Sequence, residues 1–90
     1  MIELGGNIKL ENFEDMDPIK MIVVKKVTGN YAKKISEKSP FQELKVKLTQ
    51  DQEFQIEVTL TRDNNETKAE HKDKNLFYAL DNALNKILQS

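Results

Sequence analysis

The sequence predicts an α+β fold, a two-layer sandwich of order β-α-β-β-β-α with both helices on one face of a four-stranded mixed sheet. Three observations predict it. Residues 43–72 contain three runs in which apolar and polar residues alternate, residues 76–88 repeat apolar side chains at steps of three and four, and residues 19–37 carry a second helical stripe. Two helical stripes and one apolar sheet face can all be buried when the helices pack on the sheet.

The first strand is predicted to be interrupted. Residues 2–4 and 8–10 are short alternating apolar stretches, and Gly5-Gly6-Asn7 between them permits a turn or a bulge. We therefore expect one strand with a kink. The polar, acidic residues that follow end in Asp17-Pro18, a favourable helix start because aspartate caps free amides and proline suits the first helical position.

A helix is predicted from Ile19 to about Glu37. Steps of 100° per residue place Lys26 and Lys33 on its solvent side and Lys25 and Lys34 at the two boundaries of the buried stripe. The predicted buried residues are Met21, Val24, Val27, Tyr31, Ala32 and Ile35. Gly29 weakens this helix by roughly 1 kcal/mol relative to alanine, and three β-branched valines leave a strand over residues 21–27 as the alternative.

Three strands follow Ser39-Pro40, which ends the helix because a residue before proline avoids helical angles. The turn residues Asp63-Asn64-Asn65 predict a hairpin into a last strand over residues 67–72. One sheet face is predicted to be apolar and the other solvated. The expected inward residues are Leu44, Val46, Leu48, Phe54, Ile56, Val58, Leu60, Thr67, Ala69 and His71.

The last helix is predicted to begin after Asp73, whose side chain can cap it. Its buried stripe is expected to contain Leu76, Leu80, Ala83, Leu84 and Ile87, flanked by Phe77 and Leu88. No internal repeat or linker divides the chain, so residues 1–90 are expected to form a single domain.

Charge is distributed unevenly although the net charge is only −1. Residues 1–17 hold five acids and one lysine, which gives −4, whereas residues 18–40 hold six lysines and one glutamate, which gives +5. Lysines on one helical face can neutralise phosphates and release condensed counterions. The alternative is that this surface only keeps a small domain soluble.

Several classes of protein are disfavoured. The chain has no cysteine, which excludes disulfides and thiolate metal sites. The longest apolar run, residues 21–24, is far too short to span a bilayer, and the N-terminus lacks the pattern of a secretion signal. A cytoplasmic protein without membrane contact is expected.

Catalytic constellations are missing from the sequence. His71 is the only imidazole, and a lone histidine near the end of a strand is more often structural than catalytic. Four acids precede the first helix without the spacing of a calcium loop: Glu11, Glu14, Asp15 and Asp17. Gly5-Gly6 lacks the later glycine and lysine of a phosphate loop. No enzymatic activity, metal, cofactor or small-molecule substrate is expected.

The residues that close the chain resemble those of a known family. Its members end their last strand with an alternating, alanine-containing run, here Lys68-Ala69-Glu70. They enter the final helix with an aspartate, an aromatic residue, an alanine and an apolar–aspartate pair, similar to Asp73 and residues 77–81, and the helix continues in a pattern similar to residues 85–89. Lys26-Val27 with Tyr31 looks like the family's first helix. The chain thus resembles the ribosome hibernation-promoting factors, also called ribosome-associated inhibitors or sigma-54 modulation proteins.

The resemblance implies binding to the small ribosomal subunit and its ribosomal RNA, in the channel used by messenger and transfer RNA, which blocks translation in starved or stressed cells. At matching positions it carries over Lys26 and Lys86. With the rest of the basic helix face, the expected RNA-binding residues are Lys25, Lys26, Lys33, Lys34 and Lys86. The chain stops at Ser90, so a short family member is expected, as a monomer or a weak homodimer.

Two other functions stay open at this point. The first is a small protein-interaction module that recruits a partner through an open sheet edge or an exposed face. The second is a double-stranded RNA-binding domain, which shares the α-β-β-β-α order but whose paired-lysine motif is not reproduced by Asp73-Lys74-Asn75. In the leading interpretation, lysines of both helices rise from one rim of the sandwich.

Overall fold

The computed structural model describes residues 1–90 and has two layers, a mixed sheet and two helices. The elements are β1 (Ile2–Leu4), β2 (Ile8–Glu11), α1 (Pro18–Lys38), β3 (Glu43–Gln50), β4 (Phe54–Arg62), β5 (Asn65–Asp73) and α2 (Leu76–Gln89). The α+β class and the order of the later elements agree with the prediction.

The sheet has five strands in the order β1-β2-β3-β4-β5, so the predicted count of four is wrong. Gly5 and Gly6 adopt φ values of 65° and 83°, which reverse the chain, and β1 pairs with β2 as an antiparallel hairpin where we expected one kinked strand. β2 then pairs in parallel with β3 across the α1 connection. This N-terminal hairpin also distinguishes the sheet from that of a double-stranded RNA-binding domain.

The register of the sheet separates an apolar inner face from a polar outer face. Leu10 lies opposite Val46, Val46 opposite Val58, and Val58 opposite Ala69, which forms one apolar row across four strands. The first three of these side chains are completely buried. The predicted alternation in β3 and β4 is therefore confirmed.

β4 and β5 are joined by a turn of two residues, Asp63 and Asn64, with φ values of 52° and 65°. Two successive positive φ values fit the right-handed twist of a hairpin. Asn65, which we placed in the turn, is the first residue of β5 and lies opposite Arg62. The last strand is thus longer than predicted.

α1 begins and ends at the predicted signals. The Asp17 carboxylate accepts a hydrogen bond from the Ile19 amide at 2.8 Å, Pro18 occupies the first turn, and the Ser39 amide donates to the Ile35 carbonyl. The buried stripe is shifted from the prediction and consists of Met21, Val24, Thr28, Ala32 and Ile35. Val27 and Tyr31 are only half-buried, and Tyr31 lies on the side that faces α2.

α2 begins after Asn75, not after Asp73. The Asn75 side chain accepts hydrogen bonds from the amides of Phe77 and Tyr78, whereas the Asp73 carboxylate accepts from the Asn75 amide in the preceding turn. The predicted apolar stripe of α2 is confirmed.

The two helices run parallel. Tyr31 Oη donates to Asp81 Oδ1 at 2.7 Å, and seven residues later in each helix Lys38 Nζ donates to the Leu88 carbonyl.

One hydrophobic core of 18 residues lies between the layers. Phe13 belongs to it with 1% of its surface exposed, although it stands in the acidic segment before α1 that the sequence indicated as polar.

Neither helix combines the length and the apolar character needed to cross a membrane.

Candidate nucleic-acid interface

The outward side of α1 carries the strongest candidate surface. Lys26 and Lys33 are seven residues apart, so they project from one stripe, about 10 Å apart along the helix axis. Both are exposed, and neither takes part in an ion pair. Asn30 lies between them and is also exposed. We call this stripe of Lys26, Asn30 and Lys33 the α1 outer stripe.

Lys25 and Lys34 flank the α1 outer stripe from opposite sides. They are nine residues apart, which corresponds to about half a turn around the helix. Lys34 lies on the side of α2, because its ammonium group is 5.5 Å from the centroid of the Tyr31 ring. Lys25 therefore lies on the side away from α2. Both lysines are exposed and unpaired.

Lys86 lies apart from the lysines of α1. Its ammonium group donates to the Glu70 carbonyl at 2.8 Å and lies 3.3 Å from His71 Nδ1, both on β5. Asp81, which faces α1, is five residues before Lys86 and therefore about 140° away around the helix. The expectation that both helices raise their lysines from one rim is wrong, because α2 turns its only lysine toward the edge of the sheet.

Tyr31 links the two helices beneath Lys34. Partial burial, and then the hydrogen bond and the negative charge of Asp81, raise the pKa of Tyr31 to about 12. The phenol therefore stays neutral at physiological pH and keeps its donor proton for Asp81. The Lys34 ammonium over the ring gains from the negative face of the aromatic system.

Two lysines of α1 were absent from the predicted site. Lys38 Nζ donates to the Leu88 carbonyl, where it satisfies a free acceptor in the last turn of α2. Lys20 is exposed in the first turn. The charge count of residues 18–40 includes both lysines. The sequence could not show that Lys38 is bound, because its partner lies on α2.

An apolar patch precedes the lysines on the outward side of α1. Ile19, Ile22 and Val23 are exposed by 74%, 67% and 39%, which is unusual for large aliphatic side chains on one helix end. The pattern at the start of α1 indicated only a buried stripe. The N-terminal half of the outward surface is thus apolar and the C-terminal half is basic.

The outer face of the sheet is a weaker candidate because its charges are mixed. Lys9 Nζ lies 3.1 Å from Glu43, and Lys45 Nζ lies 4.0 Å from Glu11. A shallow depression of about 200 Å³ there is lined by both signs: Glu11, Glu43, Lys45, Lys47, Glu57, Thr59, Thr61, Glu66 and Lys68. A polyanion would meet carboxylates as often as ammonium groups on this face.

Two of the acids before α1 have structural roles. Asp17 caps α1. Glu14 contacts the N-terminal ammonium group, which holds the pKa of that carboxyl below its usual range through a hydrogen bond. No group of three or more metal-ligating side chains is brought together anywhere in residues 1–90.

The chain is similar to a known family over nearly its whole length. A model of the family described as sigma 54 modulation protein / S30EA ribosomal protein matches residues 7–90. No curated protein matches the chain significantly.

Two solved structures share the fold. The N-terminal domain of Protein Y from Thermus thermophilus superposes with a TM-score of 0.68 over 91% of this chain and 89% of that one, at 14% identity. A ribosomal subunit interface protein from Coxiella burnetii gives a TM-score of 0.64 over 92% of this chain and 88% of that one, at 8% identity.

Proposed function

Because this chain belongs to the sigma 54 modulation protein / S30EA ribosomal protein family, the ribosome hibernation-promoting factors, we propose that it binds the small ribosomal subunit through ribosomal RNA. In this proposal residues 1–90 act as one domain in the cytoplasm, without catalysis and without a cofactor. The protein blocks or protects idle ribosomes under stress by occupying a site on the subunit.

The observation that supports this proposal is the set of unpaired lysines on α1. The helix carries six lysines and one glutamate, which sum to +5, on a chain whose net charge is −1. Lys25, Lys26, Lys33 and Lys34 are exposed and make no ion pair. The ammonium groups of Lys25, Lys26 and Lys33 lose no protein partner when they meet phosphates, so the released counterions contribute fully to affinity.

The geometry favours recognition of the RNA backbone. Lysine is a compact point charge without the planar fork that reads a base edge. About 10 Å between Lys26 and Lys33 along α1 suits contacts with separate phosphates. Such contacts fix the position of a protein on folded RNA without reading its sequence, which is what a factor that acts by occupancy requires.

Salt-dependent co-sedimentation with purified small ribosomal subunits tests the proposal. The double variant Lys26→Glu, Lys33→Glu should bind at least about tenfold more weakly, and the slope of log affinity against log salt should fall by about two.

The matched control is Lys45→Glu, Lys47→Glu on β3, which makes the same change in net charge on the other layer and should bind nearly as the unaltered protein does. Equal loss in both variants would show that net charge alone governs binding. Unchanged binding of the α1 variant would remove α1 from the interface.

A further inference from the structure

β5 is an open edge of the sheet. It pairs only with β4, and no other strand lies beyond it. Over Asn65–Asp73 it is nine residues long, whereas the opposite edge strand, β1, has three. A long edge strand presents unpaired amide and carbonyl groups that can bind another strand.

The outward main-chain groups of β5 can be assigned from two observations. The Glu70 carbonyl points away from β4, since it accepts the hydrogen bond from Lys86. Main-chain groups alternate in direction along a strand, so those of Glu66, Lys68 and Lys72 point outward as well. The two-residue turn agrees, because its closing pair Arg62 and Asn65 bonds inward and sets the same alternation.

The same four residues carry alternating charges. Glu66, Lys68, Glu70 and Lys72 are all exposed on the outer face, in the order negative, positive, negative, positive. Reversing such a series end to end gives the opposite sign at each position. The series is therefore complementary to itself in antiparallel pairing.

We propose that the β5 edge binds the β5 edge of a second copy of this chain, antiparallel, with Ala69 of both copies on a twofold axis. In this register Glu66 lies opposite Lys72 and Lys68 lies opposite Glu70, each pair occurring twice. Opposed residues then exchange both main-chain bonds, about eight in all. Shifting one strand by two residues places like charges opposite each other, so charge selects the register.

Lys86 opposes this pairing within each copy. Its ammonium group occupies the Glu70 carbonyl, one of the acceptors that the second strand needs. The Lys86 ammonium therefore competes with an amide of the second strand for this carbonyl. We therefore expect a weak dimer, below the area of a standard interface, and Lys86→Met should strengthen it about threefold to tenfold by freeing the acceptor.

Charge reversal tests the register on purified protein without ribosomes, so its outcome is independent of the proposed RNA binding. Glu66→Lys or Lys72→Glu alone places like charges opposite each other twice per dimer and should weaken association about tenfold in sedimentation equilibrium at low salt. The double variant restores opposite charges and should return association to within about twofold. Failure of the double variant to recover, or absence of concentration-dependent association in the unaltered protein and in Lys86→Met, would overturn the proposal.

Single cysteines give a second measurement, since the chain has none of its own. Ala69→Cys places the two sulfurs opposite each other across the axis and should form an intermolecular disulfide on mild oxidation. Thr67→Cys is the matched control, because its two copies stand four residues apart along the strands, about 13 Å. Thr67→Cys mixed with His71→Cys should cross-link again. Equal cross-linking of Ala69→Cys and Thr67→Cys alone would contradict this register.

Discussion

The two helices lie side by side on the same sheet face, yet the lysines on the outward side of α1 and the single lysine of α2 are in different states. On α1, Lys26 and Lys33 point into solvent without a partner. On α2, Lys86 is bound to a main-chain carbonyl of β5. The number of lysines on a helix therefore does not by itself determine how many are available to a partner. The position of the helix relative to the sheet edge matters as well.

The two helices also differ in how much of their surface contributes to stability and how much is left for binding. α2 buries nearly half of its residues: Leu76, Ala79, Leu80, Ala83, Leu84 and Ile87. α1 buries five of its 21 residues and leaves a long outward surface to solvent. We therefore expect substitutions in α2 to affect folding, and substitutions on the outside of α1 to affect the partner.

The largest effect should come from Leu80→Ala in α2. Leu80 is completely buried, so truncation should lower the free energy of unfolding by about 3 to 5 kcal/mol, measured by urea denaturation.

Its control on α1 is Ile22→Ala, also an aliphatic truncation, at a side chain that is 67% exposed. The change there should stay within about 0.5 kcal/mol. A comparable loss at both positions would mean that the outward face of α1 is covered, and the contrast between the helices would fail.

The contact between the helices should appear in the ionisation of Tyr31. In a Tyr78→Phe background Tyr31 is the only tyrosine, so tyrosinate absorbance reports it alone. Asp81→Asn should lower its pKa from about 12, since it removes a negative charge, but not fully to 10.0 because burial remains.

The sign of the stability effect follows from the same shift. The pKa of Tyr31 is higher in the folded state, so its contribution is fully present below pH 10.0 and is lost as the pH rises through about 12. Circular dichroism over this range checks that the fold persists while Tyr31 ionises. If the midpoint of Tyr31 ionisation were unchanged in Asp81→Asn, the contact between Tyr31 and Asp81 would be contradicted.

The smallest effect should be a gain at Gly29 in α1. A Cβ built there meets nothing within 4 Å, so Gly29→Ala should stabilise the protein by about 0.5 to 1 kcal/mol in urea denaturation. Gly6→Ala is the control of opposite sign, because φ is +83° there and a side chain adds about 1 to 2 kcal/mol of strain. A loss of stability in Gly29→Ala would contradict this prediction and would indicate that the added methyl group displaces a neighbouring group.

The elements that sequence predicted correctly are those whose pattern is local. Alternation fixes the faces of β3 and β4, and the steps of three and four fix the buried side of α2. The first strand was mistaken because Gly5-Gly6-Asn7 allows a kink as readily as a reversal, and only the pairing of β1 with β2 decides between them.

The candidate site shows the same limit. Helical spacing alone was enough to place Lys26 and Lys33 together on the solvent side. Lys86 was separated from them only by the way α2 is rotated over β5, which depends on the packed layers. The burial of Phe13 was missed for a similar reason. A single aromatic residue among polar ones forms no periodic pattern from which burial could be predicted.

The parallel pairing of β2 with β3 has a consequence for how the chain assembles. β3, β4, β5 and α2 are consecutive in sequence and joined by short connections, so their contacts close small loops. β2 meets β3 across a connection that contains all of α1, so this contact closes a much longer loop. Because closing a longer loop restricts more chain entropy, we expect the C-terminal half to nucleate folding and the N-terminal hairpin to dock last.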